Sequence, residues 1–373
     1  MKKIIAVDFY DLIWQYEKPF SRNDMEALFA KYKENGVDAV LWRLSVCGRL
    51  LYHTKTPDRY VGGPYAPSLA AKATAVMADY DPAEAAVTYG NKFGIDVYFW
   101  LTLYDDSGYG GCDDHESSIC REHPEYSWRE VDGKSYYRGV LSYVYPEVVE
   151  FRMRQIKEII SYGGAGLYLC NRSHSRPQVV RDAMAKARRE GEEARKKWGM
   201  ENGAFINAEC ERCKGRFGYD IPALQAYKGD LSDVVAWQRF RGTYFLSFME
   251  KVRKINPGKT WFGLRYGGNN GNFIYGEHFF DWERLTDGTL IDALSYYLQP
   301  PDYDKPADFP EFYRKTKGQK FLWLSLSANE PRKLLNAYAE SLERWKPFMD
   351  GIIMFEAYQM TDNPEYWDFL NNF

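Results

Sequence analysis

The sequence contains no apolar run near the roughly 20 residues that a bilayer-spanning helix needs, and among its 373 residues are only 5 histidines and 6 cysteines. The first absence removes a membrane partner. The histidines never fall in H-x-H or H-x-x-x-H spacing, so the usual pattern of a catalytic metal centre is missing. No G-x-G-x-x-G leads from a strand into a helix, although segment 265–272, RYGGNNGN, is rich in glycine. A P-loop and a G-x-S-x-G elbow are also absent, which takes away the motifs of nucleotide binding and serine hydrolysis. The net charge is −3, and Lys and Arg are interspersed with Asp and Glu. No basic stripe therefore marks a nucleic-acid partner. Internal repeats and low-complexity segments are lacking, and nothing in the composition sets an oligomeric state.

The cysteines divide into two groups. Cys47 and Cys170 fall at predicted strand ends, where small buried thiols are ordinary. Cys112 and Cys120 form C-x7-C beside His115 and His123, and Cys210 and Cys213 form C-x2-C. A structural zinc on Cys112, Cys120, Cys210 and Cys213 is one reading, although a pair spaced by seven is unusual for zinc, and reduced thiols or a disulfide are the others. No cofactor is otherwise required. Met1-Lys2-Lys3 leads directly into IIAVDFYD, read as a first strand and not as a secretory signal, so a cytoplasmic location is expected.

What the sequence does contain is an alternation of strands and helices from end to end, the pattern of a parallel sheet with helical crossovers. The predicted strands are Ile4–Asp8, Val37–Leu44, Ile95–Leu103, Gly166–Cys170, Trp261–Tyr266, Ala293–Tyr297, Lys320–Ser325 and Gly351–Phe355. Eight strands predict a (β/α)8 TIM barrel forming a single domain over residues 1–373, with long βα loops. Ser21 and Asp24 form a capping box for a helix reaching about Asn35. Asp81-Pro82 opens another that ends near Gly94. Residues 175–258 read as a helical insertion between strands four and five.

In a (β/α)8 fold the residues just past the strands converge on one mouth. There the sequence places Asp8, Arg43, Asp105, Asn171, Arg265, Tyr296, Asn329 and Glu356, a polar ring that a purely structural barrel does not need. Glycosidic bonds are usually cut by two carboxyl groups, one protonating the leaving oxygen and the other attacking or activating water. Glu356 follows strand eight in GIIMFEAYQ, sharing its alternating face with Ile352 and Met354, and is the first candidate. Asp105 and Asp106 close strand three, where neighbouring side chains point to opposite sides and only one can face the mouth. Glu330 after strand seven is a reserve nucleophile or a helix-terminal charge. Asp8, with Asp11 shortly after it, and Arg43, Asn171, His174, Asp220, Arg265 and Tyr296 are candidates for binding sugar hydroxyls or holding loops. Aromatics make up 17% of the chain, and many fall in predicted loops, where they suit stacking on sugar faces.

Several segments in combination resemble family-10-like glycosyl hydrolase proteins, a set of TIM-barrel proteins. They are FGIDVYFWLTLYDD (93–106), HPEYSW with VDGK after it, YPEVVEFRMRQIKEII, GLYLCNRSHS, FGYDIPALQAY and WQRFRGTYFLSFMEKVR. The resemblance spans about residues 37–256 and implies a barrel acting on a carbohydrate substrate. Arg43 and Tyr296 are similar to the supporting Arg and Tyr of the broader retaining clan, and Asn171 to the Asn preceding its acid/base Glu. Here Arg172 stands in place of that Glu. The acid must then come from another loop, with Asp105 or Asp220 as candidates, or the barrel binds glycans without cutting them. A metal-dependent sugar isomerase or lyase is the third alternative.

Overall fold

The computed structural model of the chain describes residues 1–63, 67–107, 115–129, 136–171, 221–230, 234–264, 281–298, 311–327 and 329–373. Its centre is a closed barrel of eight parallel strands. These are β1 (Lys2–Val7), β2 (Ala39–Arg43), β3 (Asp96–Thr102), β4 (Gly166–Cys170), β5 (Lys259–Leu264), β6 (Ala293–Leu298), β7 (Gln319–Ser325) and β8 (Gly351–Phe355). Each pairs with its neighbours in sequence, and β8 closes on β1 with Lys2 opposite Gly351 and Ala6 opposite Phe355. The predicted (β/α)8 architecture is the one observed, and β4 and β8 have the predicted ends.

The main helices are α1 (Phe9–Trp14), α2 (Arg22–Glu34), α3 (Pro67–Asp79), α4 (Pro82–Phe93), α5 (Pro146–Ile160), α6 (Val234–Ile255), α7 (Pro331–Trp345), α8 (Ala357–Thr361) and α9 (Pro364–Asn372). Ser21 and Asp24 form the predicted capping box of α2. Asp81 accepts from Ala83 N–H at the start of α4, which Gly94 ends in a left-handed conformation. Two predicted loops contain more structure than the sequence reading assigned. The stretch after β2 holds the hairpin Ser45–Val46/Arg49–Leu50 and then α3, and the stretch after β3 holds Ser118–Glu122 and the hairpin Ser127–Arg129/Tyr136–Leu141. The α3 sequence PSLAAKATAVMAD does carry a signal, a proline at the first position and an alanine-rich body. α1 has six residues, fewer than two turns, so periodicity cannot reveal it.

Two apolar layers hold the barrel. Strand side chains of one parity pack inward, including Ile4, Ala6, Leu41, Tyr98, Trp100, Tyr168, Trp261, Phe321, Trp323 and Phe355. Large rings alternate with alanines, filling the interior as a packed core. Tyr98 stacks on Trp261 at 3.6 Å, and Trp323 lies 5.0 Å from Phe355. The other parity, including Ile5, Val40, Phe99, Leu322 and Met354, packs outward against the helices. Between β4 and β5 the described residues are 171, 221–230 and 234–258. Here α6 lies on the barrel wall, with Phe245 5.9 Å from Phe262 of β5. Among the described residues no helix is long and apolar enough to cross a membrane.

Barrel closure sets a steric condition at the start of β8. A Cβ on Gly351 would lie 2.1 Å from the Lys2 carbonyl oxygen, a collision that only movement of the β1 backbone relieves. Gly351→Ala is expected to destabilise the protein by about 1–3 kcal/mol, the usual range for overpacking. Denaturant unfolding checks this, and an unchanged midpoint would contradict the steric account.

Candidate active site

The mouth of the barrel is organised by one guanidinium. Arg43 is the last residue of β2, and its alternation partners Ala39 and Leu41 lie in the inner core. Its side chain therefore rises from the barrel interior. Arg43 Nη1 donates to Asp8 Oδ2, and Nη2 donates to Asp105 Oδ2 at 3.1 Å. All three residues are buried, and the guanidinium lies 5.3 Å from the Trp100 ring centroid. Burial works against the Arg43 charge, but Asp8 and Asp105 outweigh it and hold its pKa above the ordinary guanidinium value. One planar fork thus joins the ends of β1, β2 and β3.

A group of carboxylates stands beside this fork. Asp8, Asp11 and Glu356 each offer an oxygen lying within 4.8 Å of the other two. Asp8 follows β1, and its backbone oxygen accepts from Leu12 N–H as α1 begins. Asp11 lies one turn further along α1. Glu356 follows β8 directly and precedes α8. Alternation along β8 would put Glu356 on the face of Ile352 and Met354, which pack outward against the helices. The structure brings its carboxylate instead to Asp8, whose alternation partners Ile4 and Ala6 face inward. The strand ends at Phe355, and beyond it the two-residue alternation no longer applies. Burial pushes the nearby Tyr358 hydroxyl up to about 12, with Glu356, Asp11 and Asp8 adding to the shift. A cleft of about 460 Å³ opens here, lined by Asp11, Trp14, Gln15 and Tyr358. Asp8, Asp11 and Glu356 are also the one group of described residues with the geometry to share a metal ion.

Asp105 and Asp106 divide as opposite-facing neighbours should. Asp105 meets Arg43 at the mouth, while Asp106 turns towards the helices and is bonded by Arg152 of α5, which also donates to Gln155 Oε1 at 2.7 Å. Burial pushes Asp106 up to about 7; Arg152 opposes that shift, and Asp58 and Asp105 add to it. Such a value would suit a general acid, but Asp106 faces away from the mouth. The loops around this pair fit closely. A Cβ on Gly48 would lie 2.1 Å from Ser117 N and 2.5 Å from Asp106 O, so glycine lets the hairpin after β2 press against the loops after β3.

The remaining candidates spread apart. Asn171 is buried at the end of β4, and its N–H donates to Gly263 O at 3.3 Å. Tyr296 does not face the mouth. Its ring lies 5.9 Å from Tyr313 and 5.6 Å from Trp345 in the outer layer, because it shares the parity of Leu294 and not that of Ser295. Asn329 is exposed. Glu330 is also exposed and pairs with Lys333 at 3.0 Å at the start of α7, so it does not join the Glu356 group. His174, Asp220 and Arg265 lie outside the described residues, as do Cys112, Cys210 and Cys213. Cys120 is a buried free thiol that donates to Glu116 Oε1 at 3.2 Å, and burial pushes its pKa well up. Of the group Asp11, Trp14 and Gln15, only Asp11 was a candidate from the sequence. Their i, i+3, i+4 spacing in DFYDLIWQ marks one helix face, legible only once that segment is known to be helical.

Two outcomes test these assignments. Arg43→Ala leaves two buried carboxylates without their cation and is expected to cost about 3–5 kcal/mol of stability, measured by denaturant unfolding; a loss below about 1 kcal/mol would contradict the role of the fork. For Asp106, a folded-state pKa raised to about 7 means that the folded protein holds a proton that the unfolded chain releases from about pH 4 upward. Its contribution therefore becomes less favourable as pH rises from about 4 to 7. Wild-type stability should fall relative to Asp106→Asn across that window, and parallel stability curves for the two would refute the shift.

No protein-family model matches the chain, and no curated protein matches it. Solved structures do share its fold. Alpha-L-fucosidase isoenzyme 2 from Paenibacillus thiaminolyticus superposes with a TM-score of 0.53 at 11% identity, over 100% of this chain and 48% of that one. This chain thus spans about half the length of the fucosidase. The catalytic domain of a beta-amylase from Paenibacillus polymyxa gives a TM-score of 0.49 at 10% identity, over 97% of this chain and 94% of that one. At such identities the likeness is one of fold.

Proposed function

We propose that the protein is a glycoside hydrolase acting on an oligo- or polysaccharide through carboxyl groups at the C-terminal mouth of the barrel. The observation that carries this reading is the convergence of Asp8, Asp11 and Glu356 within 4.8 Å at the end of the barrel where active sites of this architecture lie. The fold-level likeness to an alpha-L-fucosidase and the resemblance to family-10-like glycosyl hydrolase proteins support the same class.

Glu356 is the central carboxylate. Its partner on sequence grounds is Asp105, but that side chain is buried in an ion pair with Arg43, which suits it to positioning. Asp11 is half-buried and lines the cleft, which makes it the better second carboxyl. In the reaction we assign, Glu356 attacks the anomeric carbon. The glycosidic C–O bond breaks, its electron pair stays on the leaving oxygen, and that oxygen takes the proton of Asp11. Water then attacks the anomeric carbon, gives its proton to Asp11, and the sugar leaves Glu356. The compact group favours this retaining course, for which the carboxyls stand about 5–5.5 Å apart, over an inverting one at about 6.5–9.5 Å. Arg43 holds Asp8 and Asp105 in place.

A second reading draws on the same group, since three carboxylate oxygens this close are a ligand set for a hard divalent cation. It would make the protein a metal-dependent sugar isomerase or lyase.

Hydrolysis of a panel of aryl glycosides and oligosaccharides, with the product anomer read by NMR, tests these readings. The wild type should release a product of retained configuration, Glu356→Gln and Asp11→Asn should each lower kcat by at least about 100-fold, and EDTA dialysis should leave turnover unchanged. Activity lost to EDTA and restored by a divalent cation would favour the second reading. Binding of glycans with no turnover would make the barrel a non-catalytic binder.

A further inference from the structure

We propose that the cleft bounded by Asp11, Trp14, Gln15 and Tyr358 is a saccharide subsite, in which an uncharged or amino pyranoside stacks on the Trp14 indole and presents its hydroxyls to Asp11, Gln15 and Tyr358. This assignment deepens the hydrolase reading and rests on it for the choice of a sugar as ligand. The cleft volume of about 460 Å³ lies within the range of about 300–1,000 Å³ usual for small-molecule sites.

α1 has two distinct faces. Phe9, Tyr10, Leu12 and Ile13 are buried, with Phe9 5.2 Å from Trp42 and 5.9 Å from Phe20. Asp11, Trp14 and Gln15 lie on the other face, and Trp14 is 60% exposed. An isolated exposed indole is ordinary on a protein surface. Trp14 differs from Met1, Val61 and Phe348, the other large exposed apolar side chains among the described residues, because it walls a cleft that contains Asp11, a member of the carboxylate group. The platform is anchored. Lys72 of α3 donates to Trp14 O at 3.4 Å and also to Tyr16 O, fixing the end of α1.

The chemistry of the lining selects the ligand. A pyranose has an apolar C–H face that matches an indole ring and a rim of hydroxyls that matches a carboxylate, an amide and a phenol. Tyr358 lines the cleft, and its phenol can donate to a sugar oxygen. Glu356, the nucleophile of the proposed reaction, is negative and stands within 4.8 Å of Asp11 at this end of the mouth, and like charges at short range repel. Uronic acids and sulfated sugars are therefore disfavoured, whereas uncharged or amino sugars are not.

The test is calorimetric titration of Glu356→Gln, which separates binding from turnover, with cello-, malto-, xylo- and chitosan oligosaccharides and with oligogalacturonides. At least one uncharged or amino series should bind. Adding Trp14→Ala should weaken it about tenfold or more, and Trp14→Phe should retain most of the affinity. Circular dichroism and thermal unfolding should show Trp14→Ala folded like the wild type, because the ring is mostly exposed. Undiminished affinity in Trp14→Ala, a preference for oligogalacturonides, or no binding in any series would each overturn the subsite. A wild type that hydrolyses a substrate with a KM indifferent to Trp14→Ala would sink the subsite and leave the hydrolase reading intact. Glycan binding that depends on Trp14, with no hydrolysis by the wild type, would do the reverse.

Discussion

The mouth of this barrel depends on the fork of Arg43. A guanidinium cannot give up its proton under ordinary conditions, so burying it in the barrel requires anions, and Asp8 and Asp105 supply them from the neighbouring strand ends. The ion pairs fix where β1 and β3 release the chain, and hence where α1 begins. That start in turn fixes Asp11 one turn along α1 and Trp14 one turn beyond. Closure of β8 on β1 then brings Glu356 to the same place. The carboxylate group follows from a charge that the fold has to neutralise.

The aromatic interior gives this arrangement a floor. Trp100, Trp323 and Phe355 pack beneath the mouth, with Trp100 in contact with Arg43. Packed rings of this kind resist displacement, so the fork stands on a rigid base. The mouth loops are tied down independently. Glu158 accepts from Tyr52, Thr54 and Lys55 and binds the segment after β2 to α5. The Tyr366 hydroxyl bonds the backbone of Ser327 and fixes the loop after β7. A rigid scaffold of this sort is what precise placement of reacting groups requires.

Much of the barrel was legible because its signals are local. Buried parallel strands read as short apolar runs, and Ser21, Asp81 and Gly94 marked helix ends by hydrogen-bond chemistry within a few residues. The site was only partly legible. Glu356 and Asp8 were visible as carboxylates at strand ends, and the opposite orientations of Asp105 and Asp106 followed from alternation. Tyr296 was misplaced although the same rule applied to it, because the parity of β6 needs one inward-facing residue as an anchor and the sequence does not supply one. Glu356 escaped the rule for a different reason, since it stands past the last residue of its strand.

By itself the sequence determined the eight-strand alternation, the parallel barrel and the set of polar residues at the strand ends, because hydrophobic periodicity and capping act over a few neighbouring residues. Only the tertiary structure decided which of those residues meet. Asp105 could have joined Glu356, but Arg43 holds it in a buried ion pair. Asp11 read as a ligand to sugar hydroxyls or a residue holding a loop, and the structure sets it with Asp8 and Glu356 beside an exposed indole. The physical reason is that the meeting of Glu356 with Asp8 and Asp11 joins residues more than 300 positions apart through barrel closure, and strand register at the β1–β8 seam, not any local preference, sets the distance between their side chains.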